Sequence, residues 1–177
     1  PVAIGAILYG PLIGAFLGVV LGAIVLIAPT TGGFLGINPW ATVIVCLGKT
    51  GIAGLLSGLI FKVFAFIGNR RKSKGAKVTW LSIGVVVAAL VVPPTNTFLF
   101  CVGSILWFQD VMGTSFVAIL SAIFATNFLI EFIVSAVLSP ALIVLVKVLT
   151  RNYNLGFANE FAPFHEDEEE NIEAIAL

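Results

Sequence analysis

The sequence predicts an all-α membrane protein, a polytopic bundle of transmembrane helices, and three observations lead to this class. Of the 177 residues, 59% are apolar and only 10% are charged, whereas soluble domains carry about 25% charged residues. The mean hydropathy is +1.13. A spanning helix needs about 20 mostly apolar residues, and four such runs follow a shorter apolar piece. We expect one bundle over residues 1–151 and an acidic tail over residues 152–177.

The first apolar run, residues 2–9, is too short to span a membrane and follows directly on Pro1. It has no basic flank of the kind that opens a signal peptide, so we expect a further helix upstream of it. The second run covers residues 11–28 and has a glycine at every fourth position. Such a stripe lets another backbone approach closely. Its members are Gly10, Gly14, Gly18 and Gly22.

Residues 29–39 are rich in Gly, Thr and Pro and predict a loop. The third run, residues 40–67, repeats the glycine spacing at Gly54 and Gly58. We expect these glycines, together with Gly14, Gly18 and Gly22, either to pack helices inside the bundle or to dock a partner subunit.

The fourth run, residues 77–108, contains PPTNT at 93–97, which predicts an interruption near its middle because proline donates no backbone hydrogen bond. Irregular backbone at that depth is tolerated only inside protein or beside a cavity. The last run, residues 115–149, is longer than a bilayer core requires. We expect Pro140 to bend this helix or to begin an interfacial turn.

Charge is separated along the chain, although the formal net charge is zero. Residues 68–77 form the only dense basic loop, so the positive-inside rule predicts that 70–77 face the cytoplasm and that residues 30–39 lie outside. The last run then returns to the cytoplasm. The tail that follows, with seven of the nine acidic residues, predicts a solvated, disordered cytoplasmic segment.

Lys49 and Glu131 are the ionisable groups placed well inside apolar runs, where each costs about 2.5 to 3.5 kcal/mol on insertion scales. At about 1.5 Å per residue, Lys49 lies about 16 Å deep, Asn96 about 20 Å and Asn127 about 18 Å. Three polar groups from three helices therefore share a level. Two interpretations stay open: an ion pair between Lys49 and Glu131, or a lysine facing a solute cavity with Asn96 and Asn127.

Intramembrane enzymes are disfavoured by the residues that the runs lack. The one histidine, His165, lies in the tail, so the runs offer neither a Ser–His pair nor a His-rich metal site. No phosphate-binding loop motif occurs. Cys46 and Cys101 lie in apolar runs and are interpreted as small hydrophobic residues. We predict no catalytic residue, no metal and no cofactor.

Several segments, taken in order over about residues 1–150, resemble the substrate-binding S components of energy-coupling factor transporters. Each motif alone is weak, and the order carries the likeness. The segments are PVAIGAILYGP (1–11) with the glycine stripe after it, NP (38–39), CLGKTG (46–51), PPTNT (93–97) and TNFLIE (126–131).

The resemblance implies a six-helix fold, here with the first helix absent, that binds a water-soluble vitamin or related micronutrient from outside. It also implies two kinds of partner: a transmembrane coupling subunit and two ATPase subunits. The docking motif of the family's first helix cannot be carried over to this chain.

The residues themselves also favour an outward-facing site, because the 30–39 loop can act as a lid with Trp40 as an aromatic wall. We therefore predict substrate contacts from Thr31, Asn38 and Trp40 as well as from the polar level. The alternative for Trp40 and Trp107 is interfacial anchoring. The alternative function is a scaffold or regulatory membrane subunit that binds no solute.

Overall fold

The computed structural model describes residues 1–28, 31–71, 73–112 and 115–153. Helices make up 94% of these residues, and no strand occurs among them, which confirms the all-α prediction. The helices are α1 (Val2–Tyr9), α2 (Pro11–Ile27), α3 (Gly32–Ile37), α4 (Pro39–Asn69), α5 (Lys74–Leu90), α6 (Val92–Met112) and α7 (Ser115–Tyr153).

Within the described ranges, three segments are long and apolar enough to cross a membrane: Pro39–Asn69, Gly75–Phe108 and Phe128–Val148. The apolar segment Pro11–Ile27 is shorter. Its 17 residues extend about 26 Å, slightly less than a hydrocarbon core of about 30 Å. The helices fit a membrane protein, and the predicted orientation stays a prediction.

Helix α4 is the centre of the bundle and packs against α1, α2, α3, α5 and α6. Its start is fixed locally, because the Asn38 side chain accepts a hydrogen bond from the Ala41 N–H at 3.1 Å. Pro39 occupies the first turn, where a missing N–H costs nothing. This N-cap sets the position of every later residue on α4, including Lys49.

The predicted interruption of the fourth run exists, but it is confined to Val91. Helix α5 ends at Leu90 and α6 begins at Val92, so both prolines lie in the first turn of α6. The expectation that residues 93–97 are irregular is therefore wrong. The Ser57 hydroxyl donates to the Ala88 carbonyl at 2.8 Å and fastens α4 to α5 just before the break.

Two further expectations need correction. The stretch between α2 and α4 is not only a loop, because Gly32–Ile37 forms a short helix whose Phe34 packs on α6. Helix α7 continues through Pro140 as far as Tyr153, so no interfacial turn begins at that proline, and the alternative of a bend there stays a prediction. The predicted tail lies almost wholly outside the described residues, since residues 154–177 are not among them.

A core of large apolar side chains holds one end of the bundle together. Its buried members come from α1, α4, α5 and α7. Protein interiors of this kind are close-packed and contain few voids. The buried members are Ile7, Leu8, Phe61, Ala65, Leu81, Val85, Ala88 and Val146. At α3 a smaller cluster forms, in which Phe34 and Ile37 pack against Ala41 and Phe108.

Candidate functional site

Lys49 lies on α4, and its ammonium is held against an aromatic ring. Ten residues separate it from Pro39, so it stands about 15 Å along the helix. The Lys49 Nζ atom lies 4.6 Å from the centroid of the Phe100 ring on α6. A cation within about 6 Å of a ring face is attracted by the ring quadrupole. The ring thus takes the place of part of the water shell that this half-buried charge has lost.

Three other groups lie within electrostatic range of the same ammonium: Cys46, Cys101 and Glu131. The carboxylate of Glu131 comes from α7, so α4, α6 and α7 all contribute to this region. Among the described residues Lys49 nevertheless forms no salt bridge with Glu131. The two groups attract each other at a distance, and among the described side chains the direct contact of the ammonium is the Phe100 ring.

The α6 face beside Lys49 carries polar atoms that lack partners. Asn96, Phe100 and Ser104 follow one another at four-residue intervals and therefore share a face. The Asn96 Oδ1 and Ser104 Oγ atoms are buried without a hydrogen-bond partner. Ser104 is 0% exposed. A buried unsatisfied group costs about 1 to 3 kcal/mol, so both atoms are places where a bound molecule would recover free energy.

An aromatic cluster covers this region from the α3 side. The Phe34 ring meets Phe100 edge to face at a centroid distance of 5.8 Å. It meets Phe108 in the same manner at 5.2 Å. Such edge-to-face pairs add to the burial of the rings themselves. The short helix α3 therefore sits over the Lys49 region through a single phenylalanine.

Sequence reasoning did not find these phenylalanines. Phe100 and Phe108 lie two turns apart on α6, which is a weak signal that they share a face. Their partner Phe34 comes from a segment read as a loop, more than 60 positions away. Only the fold brings the three together.

The predicted substrate residues do not all gather at one place. Thr31 is buried, and its hydroxyl donates to the Val25 carbonyl at 2.8 Å. Asn38 uses its side chain as the N-cap of α4. Trp40 is 80% exposed, as an interfacial anchor would be. Lys49 and Asn96 lie on the facing helices α4 and α6, and the side chain of Asn127 falls outside the described part of the chain.

The predicted packing glycines line the contact between α2 and α4. A Cβ on Gly18 would collide with the Thr50 carbonyl oxygen, and one on Gly54 with the Gly14 carbonyl oxygen. A Cβ on Gly22 would lie 2.5 Å from the Cys46 carbonyl oxygen. Gly58 has Pro11 in the corresponding position. We call this contact the glycine seam; it places two helix backbones directly against each other.

Metal chemistry finds no support in the described ranges, where no three His, Cys, Asp or Glu side chains cluster. The chain matches no protein-family model, no curated protein and no solved structure. What stands is the class: an all-α protein with helices suited to a membrane.

Proposed function

We propose that this protein is the substrate-specific membrane subunit of an importer of the energy-coupling factor type, and that it binds a small vitamin-like solute from outside. The observation that carries the proposal is the Lys49 ammonium, held within a membrane helix over Phe100 without a salt bridge among the described residues. A charge in such a place is costly, and intramembrane charges are most often paired or functional.

The chemistry of the region indicates the kind of solute. The ammonium favours an anionic group, such as a carboxylate. The Asn96 Oδ1 atom accepts hydrogen bonds and has no donor, so a solute with an N–H or O–H would satisfy it. Aromatic rings at Phe34 and Phe100 offer apolar surface to the rest of the molecule. An anionic vitamin of modest size meets all three conditions.

Energy for uptake would come from other proteins. The sequence has no nucleotide-binding motif. The resemblance to the S components of energy-coupling factor transporters implies the partners that would provide the energy: a transmembrane coupling subunit and two ATPases. Pantothenate, folate, riboflavin, cobalamin and a pyrimidine precursor are the substrates to test first.

The test is calorimetry on the purified protein in lipid nanodiscs against a panel of B vitamins. We expect one ligand to bind tightly, and the Lys49→Met variant to bind an anionic ligand at least about tenfold more weakly, the loss of one charge-assisted hydrogen bond. Lys62→Met is the matched control, because Lys62 is an exposed lysine of the same helix. It should bind as the unaltered protein does.

A scaffold subunit without a solute is the second candidate, and the glycine seam favours it, since close helix packing alone is sufficient for that role. The same experiment separates the two. If no member of the panel binds, the result favours the scaffold function over the importer subunit. If a vitamin binds equally well to protein with Lys49→Met or Asn96→Ala, the solute binds elsewhere and the Lys49 assignment is wrong.

A further inference from the structure

The junction of α4 and α5 carries a group of basic side chains, here called the basic rim: Arg70, Arg71 and Lys77. The Arg70 guanidinium lies 4.3 Å from the centroid of the Phe66 ring. The Arg71 guanidinium lies 5.7 Å from that of Trp80. The two helices approach closely here, since a Cβ on Gly68 would lie 3.4 Å from the Lys77 carbonyl oxygen. Three cations are thus collected at one turn of the chain.

The basic rim has no acidic partner within the described part of the chain. Glu131 is the only carboxylate whose side chain is described, and it lies in the Lys49 region. Helix α5 also begins at this junction, with Ser73 at its N-cap making no side-chain hydrogen bond to the first turn. Like charges and a helix N-terminus produce a positive potential that attracts anions.

The sequence holds a matching anion in residues 160–173, which contain seven of the nine acidic residues. Helix α7 brings the chain to the same level as the basic rim. Val146 packs in one cluster with Leu81, Lys77 lies about one turn beyond Leu81, and α7 ends two turns beyond Val146 at Tyr153.

Reach is not limiting. From Tyr153 to Glu166 there are 13 peptide steps, which span up to about 45 Å when extended. Neighbouring helices pack only about 8 to 10 Å apart. The acidic residues can therefore extend past the end of α7 and back to the α4–α5 junction.

We propose that the acidic segment 160–173 binds the basic rim of its own chain. The individual ion pairs are exposed and weak, but a tether of this length gives an effective concentration in the millimolar range. Several such pairs together then hold the segment in place. The acidic segment carries seven negative charges, more than enough to pair with the three cations of the basic rim.

Carbodiimide crosslinking of the protein in nanodiscs of neutral lipid tests this directly, because the reagent joins a carboxylate to an amine only at contact. We expect crosslinks from residues 166–170 to Lys77 at about 0.05 M salt. They should disappear at about 1 M salt, where the screening length falls to about 3 Å. Lys49 serves as a control that should not react, because it lies 21 residues, about 32 Å, from Arg70 along α4. Absence of the Lys77 crosslink at low salt overturns the proposal.

A second measurement uses trypsin cleavage after Arg71. Replacement of all five acids (E166Q, D167N, E168Q, E169Q and E170Q) should raise the cleavage rate about fivefold, the loss of a few exposed ion pairs. The matched control is E160Q with E173Q, which removes two charges at the edges of the segment and should change the rate less.

Two results would assign the basic rim to another partner. If addition of anionic phospholipid abolishes both the crosslink and the effect of the five replacements, the rim binds lipid headgroups in membranes. If mixed isotope-labelled copies show crosslinks only between different chains, the segment acts between molecules. Persistence of the intramolecular crosslink in both experiments supports the proposal.

Discussion

The two sides of helix α4 differ in how they meet their neighbours. Toward α2, glycines bring two backbones into direct contact along the glycine seam. Toward α6, the same helix presents Lys49 to Phe100, and α6 itself leaves Ser104 Oγ buried without a partner. One side has no room for even a methyl group. The other retains polar atoms whose hydrogen-bonding capacity is unused.

This difference suggests that the α2 side of α4 contributes to stability and the α6 side to binding. Close backbone contact is a main source of helix association in a membrane, where apolar side chains gain little over lipid. Unsatisfied polar atoms work against stability unless another molecule completes them. We therefore expect substitutions on the α2 side to affect folding and those on the α6 side to affect binding.

The largest effect is expected at the glycine seam. In the Gly18→Leu variant the new side chain must displace the Thr50 carbonyl of α4, so we expect destabilisation of more than about 3 kcal/mol. Thermal unfolding in detergent, followed by the loss of the monomer peak, measures it. Gly48→Ala is the control, because a Cβ there has nothing within 4 Å. Equal melting of both variants would place the seam elsewhere.

The second prediction concerns a smaller effect. Two buried serines should differ in how replacement by alanine changes the free energy of unfolding. Ser57 and Ser104 are both 0% exposed, but only Ser57 donates a hydrogen bond, to the Ala88 carbonyl. Ser57→Ala should lower the free energy of unfolding by about 0.6 to 1 kcal/mol. Ser104→Ala should be neutral or slightly stabilising, because it removes an unpaired hydroxyl. The unfolding midpoints of the two variants test this prediction. A larger loss of stability in Ser104→Ala than in Ser57→Ala would mean that the Ser104 hydroxyl is paired.

The third prediction concerns orientation and involves no change in stability. The positive-inside rule predicts that α3 lies outside, so we expect a cysteine at Gly33 to react with an impermeant thiol reagent in intact cells and a cysteine at Ser73 to be protected. Gly33 is preferred to the buried Thr31, since a Cβ at Gly33 has open space around it. The reverse pattern of labelling would invert the topology and remove the case for uptake from outside.

Much of the fold could be predicted because it follows from local pattern. Hydrophobic runs gave α4 and α7 nearly to their ends, and Pro93 with Pro94 indicated the break now located at Val91. Tertiary contacts determine the rest. Helix α3 forms where Phe34 can reach the rings of α6. The residues of the segment itself do not predict that contact.

The candidate site was predictable only in its charged centre. Lys49 is conspicuous because a charge in an apolar run is rare, and Asn96 because it follows two prolines. The substrate contacts expected of Thr31 and Asn38 stay predictions, and both side chains also have a structural use, because Thr and Asn end and cap helices and each has such a bond here. Polar residues near a helix end therefore carry less information about binding than a charge in the middle.

The central claim is that Lys49 faces a small anionic solute, and native mass spectrometry of the purified protein tests it most directly. We expect the unaltered protein and Lys62→Met to retain the same small anionic molecule through purification. Lys49→Met should lose it while its unfolding midpoint shows that it is still folded. Retention of the molecule by folded Lys49→Met, or its absence from all three proteins, would contradict the account.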